Sequence, residues 1–224
     1  MHSTLRLCFA LLALVSLDAL AQDPGFRLGQ HYFLVQPAQP TNAPPGKVEV
    51  TEVFSYACPA CNQFEPVMDR LKANLPSNAV LNYVAAAFNS AEDWPVFQRC
   101  YYTAQALGIA ERTQDAMFDA VWKTRELAVT DQQNRLRNPL PTIEDCAEFY
   151  QRTTGVSKEQ FLATAKSFTI DTRIRHANAL VLAYQADSTP TIIVNGKYRL
   201  TPNTAGGYDK TLSLIRYLVA MESH

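Results

Sequence analysis

Charge of one sign is what this sequence most lacks. Its 20 Lys and Arg stand against 21 Asp and Glu, a formal net charge of −1, and no long block of like sign occurs. That balance offers neither the basic face that nucleic acid requires nor an electrostatic hold on a membrane surface. Internal repeats and low-complexity tracts are missing too, which excludes repeat arrays and solvated tails. Long apolar runs are absent with one short exception, LCFALLALVSL at 7–17. It falls well below the roughly 20 residues that span a bilayer. With the basic MHSTLR before it and Ala19-Leu20-Ala21 after it, the layout is that of a secretory leader, 1–21, cleaved after Ala21. Cys8 lies inside the apolar run and not at the cleavage point, which argues against a lipoprotein. What remains is ordinary for a soluble globular chain, 47% apolar and 18% charged over 224 residues. That length suits one substantial core, or one domain carrying an insertion.

Cysteine is also scarce, five in all, and Cys8 leaves with the leader. The four that stay, Cys58, Cys61, Cys100 and Cys146, make the even count that an oxidising compartment favours. Two of them stand at C-x-x-C spacing in VFSYACPACNQFEP (53–66). No second C-x-x-C exists, so only Cys100 and Cys146 could complete an all-cysteine zinc set, and no metal is expected. An inert disulfide across so short a loop would constrain the unfolded chain only weakly. Redox exchange is the favoured reading.

HYFLV (31–35) reads as a short strand, QPAQPTNAPPG (36–46) as a proline-rich connection, and KVEVTEVFSY (47–56) as a strand. Past Cys58 the period changes. Phe64, Val67, Met68, Leu71 and Leu75 fall on one stripe of an amphipathic helix. Pro59 suits its first turn, where the missing N–H has no intrahelical partner. Pro66 sits deeper and is expected to bend the helix or free a carbonyl. VLNYVAAAF (80–88) returns to strand, which places the cysteines at a strand-to-helix junction inside a β-α-β unit.

Four helical patterns follow, WPVFQRCYYTAQAL, ERTQDAMFDAVWKT, TIEDCAEFYQR and SKEQFLATAKSF. A longer helix is predicted over 169–186, then TIIVNGKYRL with Asn195-Gly196 as a hairpin turn, then a final helix from about 207 to 221. The domain reading is a leader at 1–21, an α/β domain in two parts, 22–92 and 168–224, and a helical insertion at 93–167.

A cysteine at the first turn of a helix meets unpaired N–H groups and the positive end of the helix dipole. Both stabilise a thiolate at Cys58, which lowers its pKa and makes it a good leaving group in thiol–disulfide exchange. Cys61, one turn inward, is the expected resolving thiol. Pro59 and Ala60 bring neither charge nor a side-chain donor, so helix-end electrostatics are expected to carry most of the stabilisation.

PPGKVEVTEVFSYACPACNQFEP, YYTAQALGI, FLATAKSFTIDTRIRHANALVLAYQ and STPTIIVNGKYRL together resemble the periplasmic thiol-disulfide oxidoreductases of the DsbA type. The resemblance implies a thioredoxin fold, a mixed sheet flanked by helices, interrupted by an all-helical domain. It implies that Pro190 is cis and faces the redox pair, leaving Thr189 with Pro59 and Ala60 to meet an extended substrate peptide. It aligns Glu52 with a buried acid that moves protons for the inner cysteine, although by pattern alone Glu52 could face solvent.

The implied activity is donation of the Cys58–Cys61 disulfide to reduced exported polypeptides in the periplasm. Re-oxidation would fall to a quinone-linked inner-membrane partner of the DsbB type; a monomer without cofactor is expected. Two departures stand out: Pro-Ala between the cysteines instead of Pro-His, and Thr189 before the proline, as in the related dimeric isomerases. Only 36 residues (22–57) precede Cys58 after cleavage, too few for an isomerase's dimerisation domain. The alternatives are an isomerase or reductase of the same compartment and a non-enzymatic peptide-binding chaperone. Cys100 and Cys146 are read as a structural disulfide, with two buried thiols as the alternative. His31 and His176 are read as surface or packing residues.

Overall fold

The computed structural model describes residues 25–223; the expected leader and its cleavage point lie outside them. In chain order the elements are β1 (Phe33–Leu34), β2 (Val48–Phe54), α1 (Pro59–Ala73), β3 (Ala79–Ala85), α2 (Trp94–Ala106), α3 (Ala110–Trp122), α4 (Ile143–Thr154), α5 (Lys158–Ala165), α6 (Phe168–Ala183), β4 (Thr191–Val194), β5 (Tyr198–Leu200), α7 (Pro202–Ala205) and α8 (Tyr208–Met221). A single 3₁₀ turn, Ser90–Glu92, precedes α2.

The sheet has the order β1-β5-β4-β2-β3. β2 lies inside it, parallel to β3 from Val48↔Ala79 to Phe54↔Ala85 and antiparallel to β4 from Val50↔Val194 to Val53↔Thr191. All seven of its residues are buried, because helices cover both faces of the sheet. The pleat sends Val48 and Val50 into a cluster with Phe64, Met68 and Leu71 of α1 and Ile215 and Leu218 of α8. Val53 and Ile193 join the opposite cluster, built with α6 and the inserted helices. This is the α/β architecture with a helical insertion that the sequence predicts.

Turn chemistry supports the register. Asn195 and Gly196 both take positive φ, 52° and 65°, as the central pair of a primed turn requires. Lys197 N–H closes that turn on the Val194 oxygen at 3.0 Å, within a three-residue connection that pairs Val194 with Tyr198. A Cβ on Gly196 would also collide with the Gln39 carbonyl. In the insertion, Thr142 and Asp145 form a capping box and Gly155 closes α4 at φ 79°. Cys100 of α2 and Cys146 of α4 are bonded, with Cα atoms 6.4 Å apart and both residues fully buried. Tyr150 of α4 stacks on Phe161 of α5 at 4.8 Å.

The strand over 31–35 shrinks to Phe33–Leu34, because its partner β5 is three residues long. Between α3 and α4 the chain is irregular. Arg125 and Arg137 satisfy its carbonyls there, Arg137 Nη1 donating to the Ala128 oxygen at 3.2 Å and Arg125 Nη2 to the Asp131 oxygen at 3.0 Å. Pro66 is accommodated inside α1, which runs unbroken across it.

Candidate active site

β2 ends at Phe54, and three residues carry the chain to Cys58, the N-cap of α1, in extended conformation at φ −85° and ψ 119°. Pro59 begins the helix, and its first turn holds no acidic residue to oppose a thiolate. The Cys58 N–H donates to the Ser55 oxygen at 3.1 Å, and the Cys58 carbonyl accepts from Asn62 N–H at 3.1 Å. Pro59 is exposed, Ala60 is half-buried, and Cys61 points inward with no exposure. Both cysteines are free thiols, the reduced member of the couple.

The loop before β4 closes over this pair. The Thr189-Pro190 peptide is cis; Pro190 is buried and Thr189 half-buried. The Cys58 thiol donates to the Thr189 carbonyl at 3.5 Å. The Thr191 hydroxyl donates to the Ser188 oxygen at 2.8 Å, which holds the loop in place.

The two sulfurs are driven apart in acidity. Cys58 falls from 9.0 to about 6, chiefly through a hydrogen bond from the Cys61 thiol. Burial opposes the drop, and the Thr189 side chain and the N–H groups of Cys61 and Ala60 assist it. The helix-end groups are therefore present but secondary to the second sulfur, which differs from the sequence expectation. The Thr189 carbonyl favours the thiol form, its side chain the thiolate. Cys61 is pushed well above the usual thiol range by burial first, then by its bond to Cys58 and by the nearby Glu52. One sulfur is thus a stable anion and leaving group, while the other strongly prefers its proton.

Glu52 follows Val48 and Val50 on the pleat, so it faces α1 beneath the cysteines. It is 1% exposed, and neither carboxylate oxygen has a hydrogen-bond partner. Burial, and next the like charge of Glu65, raise it well above the carboxylate range. Such burial disfavours the charged carboxylate and favours the protonated acid.

Around it stand groups that the sequence reading missed. Glu65 of α1 is raised to about 7 by burial, and its partner is the Lys72 ammonium at 3.5 Å. Tyr83 of β3 has a buried hydroxyl without a hydrogen-bond partner. Glu65 was detectable as a charge four residues after Cys61, on the same helix face. Glu65, Asp69 and Asp115 could share a cation, but Lys72 already sits 3.5 Å from Glu65 and 3.4 Å from Asp69.

Cys100 and Cys146 lie in the insertion, apart from this constellation. His176 is exposed on α6; His31 is half-buried and accepts from Arg27 N–H at 2.9 Å through Nδ1. Among the described residues, no helix is long and apolar enough to cross a membrane.

Residues 43–213 match the family model described as Thioredoxin. The chain is 34% identical over 214 residues to the thiol:disulfide interchange protein DsbA of Pseudomonas aeruginosa, covering 95% of this chain and 94% of that one. It is 33% identical over 222 residues to DsbA of Azotobacter vinelandii, with 95% of each chain covered. The crystal structure of Pseudomonas aeruginosa DsbA superposes with a TM-score of 0.73 at 33% identity, over 88% of this chain and 94% of that one. That of the oxidoreductase DsbA from Xylella fastidiosa gives 0.73 at 31%, over 85% and 94%.

Proposed function

Because the chain belongs to the DsbA family of thioredoxin-fold thiol:disulfide oxidoreductases, we propose that it works in the oxidising direction, giving its Cys58–Cys61 disulfide to reduced exported polypeptides in the periplasm. The observation that carries this reading is the opposed acidity of the two sulfurs. Cys58 sits near pKa 6 beside the cis Thr189-Pro190 peptide, and Cys61 is buried and protonated.

A substrate thiolate attacks Cys58 of the disulfide, and the Cys61 sulfur departs. Cys61 then takes up a proton, because its buried anion is strongly disfavoured. Glu52, whose burial favours its protonated form and whose charge, when present, is felt at Cys61, is the group suited to supply that proton. A second substrate thiolate attacks the substrate sulfur of the mixed disulfide. Cys58 leaves as a thiolate, the substrate carries away a disulfide, and the enzyme is left with two electrons more. Attack on Cys58 and not Cys61 follows from burial, since Cys61 has no exposed surface. Thr189, Pro59 and Ala60 border the attacked sulfur and are the surface a substrate strand would meet.

Turnover requires an oxidant, and the proposed one is a quinone-linked inner-membrane partner of the DsbB type. The enzyme acts as a monomer after removal of residues 1–21, and Cys100–Cys146 serves structure alone. The test is to mix the oxidised protein with a reduced, unfolded polypeptide and count disulfides in both. Stoichiometric transfer is expected, and a Cys61→Ala variant whose Cys58 is first loaded as a mixed disulfide with glutathione should exchange it for a mixed disulfide with a substrate of one cysteine, releasing glutathione as the thiol. Absence of transfer refutes the reading. A pair found mainly reduced in cells would reassign the protein to isomerisation or reduction.

A further inference from the structure

Trp122 ends α3, within the helical insertion, and is half-buried. Its indole N–H donates to the backbone carbonyl of Tyr56 at 2.8 Å. Tyr56 lies two residues before Cys58, in the turn that leads from β2 into α1. The same helix also grips the Tyr56 side chain. Its hydroxyl donates to Oε1 of Gln114 at 2.8 Å, and its ring packs edge-on against Phe118 with centroids 5.1 Å apart. The peptide unit joining Tyr56 to Ala57 is held from its other side as well, because Ala57 N–H donates to Ser55 Oγ at 3.3 Å. With its oxygen and its N–H both engaged, that peptide plane has little freedom to rotate, and the next peptide carries Cys58.

We propose that Trp122 is a positioning residue for the exchange reaction: its indole N–H, backed by Gln114, fixes the Tyr56 peptide and thereby the direction in which Cys58 is presented to α1 and to Thr189. The inference rests on the thiol–disulfide function proposed above and extends it to the insertion. A buried carbonyl deprived of its donor must find another partner or turn. Turning would drag the Ala57 N–H from Ser55 and move the Cys58 sulfur relative to the donors that stabilise its anion. The insertion is then joined to the reacting sulfur by a hydrogen bond, and a shift of α3 alters the sulfur's chemistry.

Trp122→Phe keeps an aromatic ring and removes the donor. The Cys58 thiolate is titrated by its absorbance in wild type, Trp122→Phe, Tyr56→Phe and the double variant. A rise of about 0.5 to 1 unit is expected in Trp122→Phe, the share of one ordinary hydrogen bond. The double variant should shift by less than the sum, since both groups hold one segment. A folded Trp122→Phe protein with the wild-type midpoint overturns the proposal, whatever its melting temperature.

A second measurement needs no change at residue 122. The chain has two tryptophans, so Trp94→Phe leaves Trp122 as the sole emitter. Its emission and indole N–H resonance should differ between the disulfide and dithiol forms, and identical signals in both forms refute the coupling. Wild type is assayed beside these for disulfide donation. Inactive wild type defeats the functional reading, whereas active wild type with an unmoved Trp122→Phe midpoint defeats only the positioning role.

Discussion

Replacing Cys58 with Ala should remove a pH-dependent share of the stability of the reduced protein, and the size of that share follows from the acidity of one sulfur. Folding lowers the Cys58 pKa from 9.0 to about 6. Three units at 1.36 kcal/mol each amount to about 4 kcal/mol, or about 3 after allowance for the sulfur's residual contact with water. A folded-state pKa below the unfolded one makes this stabilisation complete only above about pH 9, and it fades as pH falls through about 6. At pH 7 roughly one unit remains, about 1.4 kcal/mol.

The disulfide form has no thiolate to stabilise, so the same energy biases the couple toward reduction. For a two-electron couple it adds about 30 mV to the potential at pH 7. The slope of potential against pH should also break. Below about 6 two protons accompany two electrons, about 59 mV per unit, and above it one proton does, about 30 mV per unit. Denaturant titrations of the reduced protein from pH 5 to 8.5, read as wild type minus Cys58→Ala, isolate this contribution from other titrating groups. Redox titration against glutathione gives the slope. A difference that stays flat across that range, or a break near 9, would refute the reasoning.

Glu52→Leu removes a buried carboxyl whose oxygens lack partners, and should raise stability by about 1–3 kcal/mol. Glu52 is raised above 4.5 on folding, so its contribution is intact below that pH and is lost as pH rises; the variant should lose that decline in denaturant melts. It should also prolong the mixed disulfide in stopped-flow exchange, and an unchanged lifetime would remove Glu52 from the proton path. Cys100→Ala with Cys146→Ala opens a loop of 46 residues. A loss of about 4 kcal/mol is expected, with disulfide donation retained at temperatures where the variant stays folded. Thr189→Val deletes a side-chain hydrogen bond that lowers the Cys58 pKa. A rise of about 0.5 to 1 unit in the thiolate titration is expected, and no rise would show that the Cys61 thiol and the backbone suffice.

Local signals were sufficient for most of the frame. Strand β2 announced itself through Val, Thr and Phe, α1 through its stripe from Phe64 to Leu71, and the β4–β5 hairpin through Asn195-Gly196. Each is decided by residues near in sequence. Glu52 was not decidable that way, since an acid in an apolar strand reads equally as exposed or buried. Its burial depends on α1 and α8 covering that face of the sheet. Lys72, Tyr83 and Trp122 escaped for the same reason. Nothing near Trp122 in sequence points to Tyr56, 66 positions away; only the return of α3 against the β2–α1 turn joins them. The balance of forces on Cys58 was legible in direction but not in source, because its largest donor is the Cys61 thiol and that requires both sulfurs in one geometry.

That geometry also accounts for the asymmetry of the pair. A hydrogen bond from Cys61 to Cys58 cannot favour both anions. It lowers one sulfur by raising the other, and burial of Cys61 without exposure enforces the choice. Glu52 would add to it only when ionised, since a negative charge there opposes a Cys61 anion. Burial in turn disfavours the Glu52 carboxylate, which is what the proposed role of donating a proton to the departing Cys61 requires. The Cys58 anion requires no such supply at neutral pH. The reduced site therefore carries one negative charge, placed on the sulfur that a partner can reach, and the disulfide is unstable relative to that state by the worth of this arrangement. A substitution that equalised the two sulfurs, leaving both half-exposed, would preserve the C-x-x-C spacing and lose the direction of exchange.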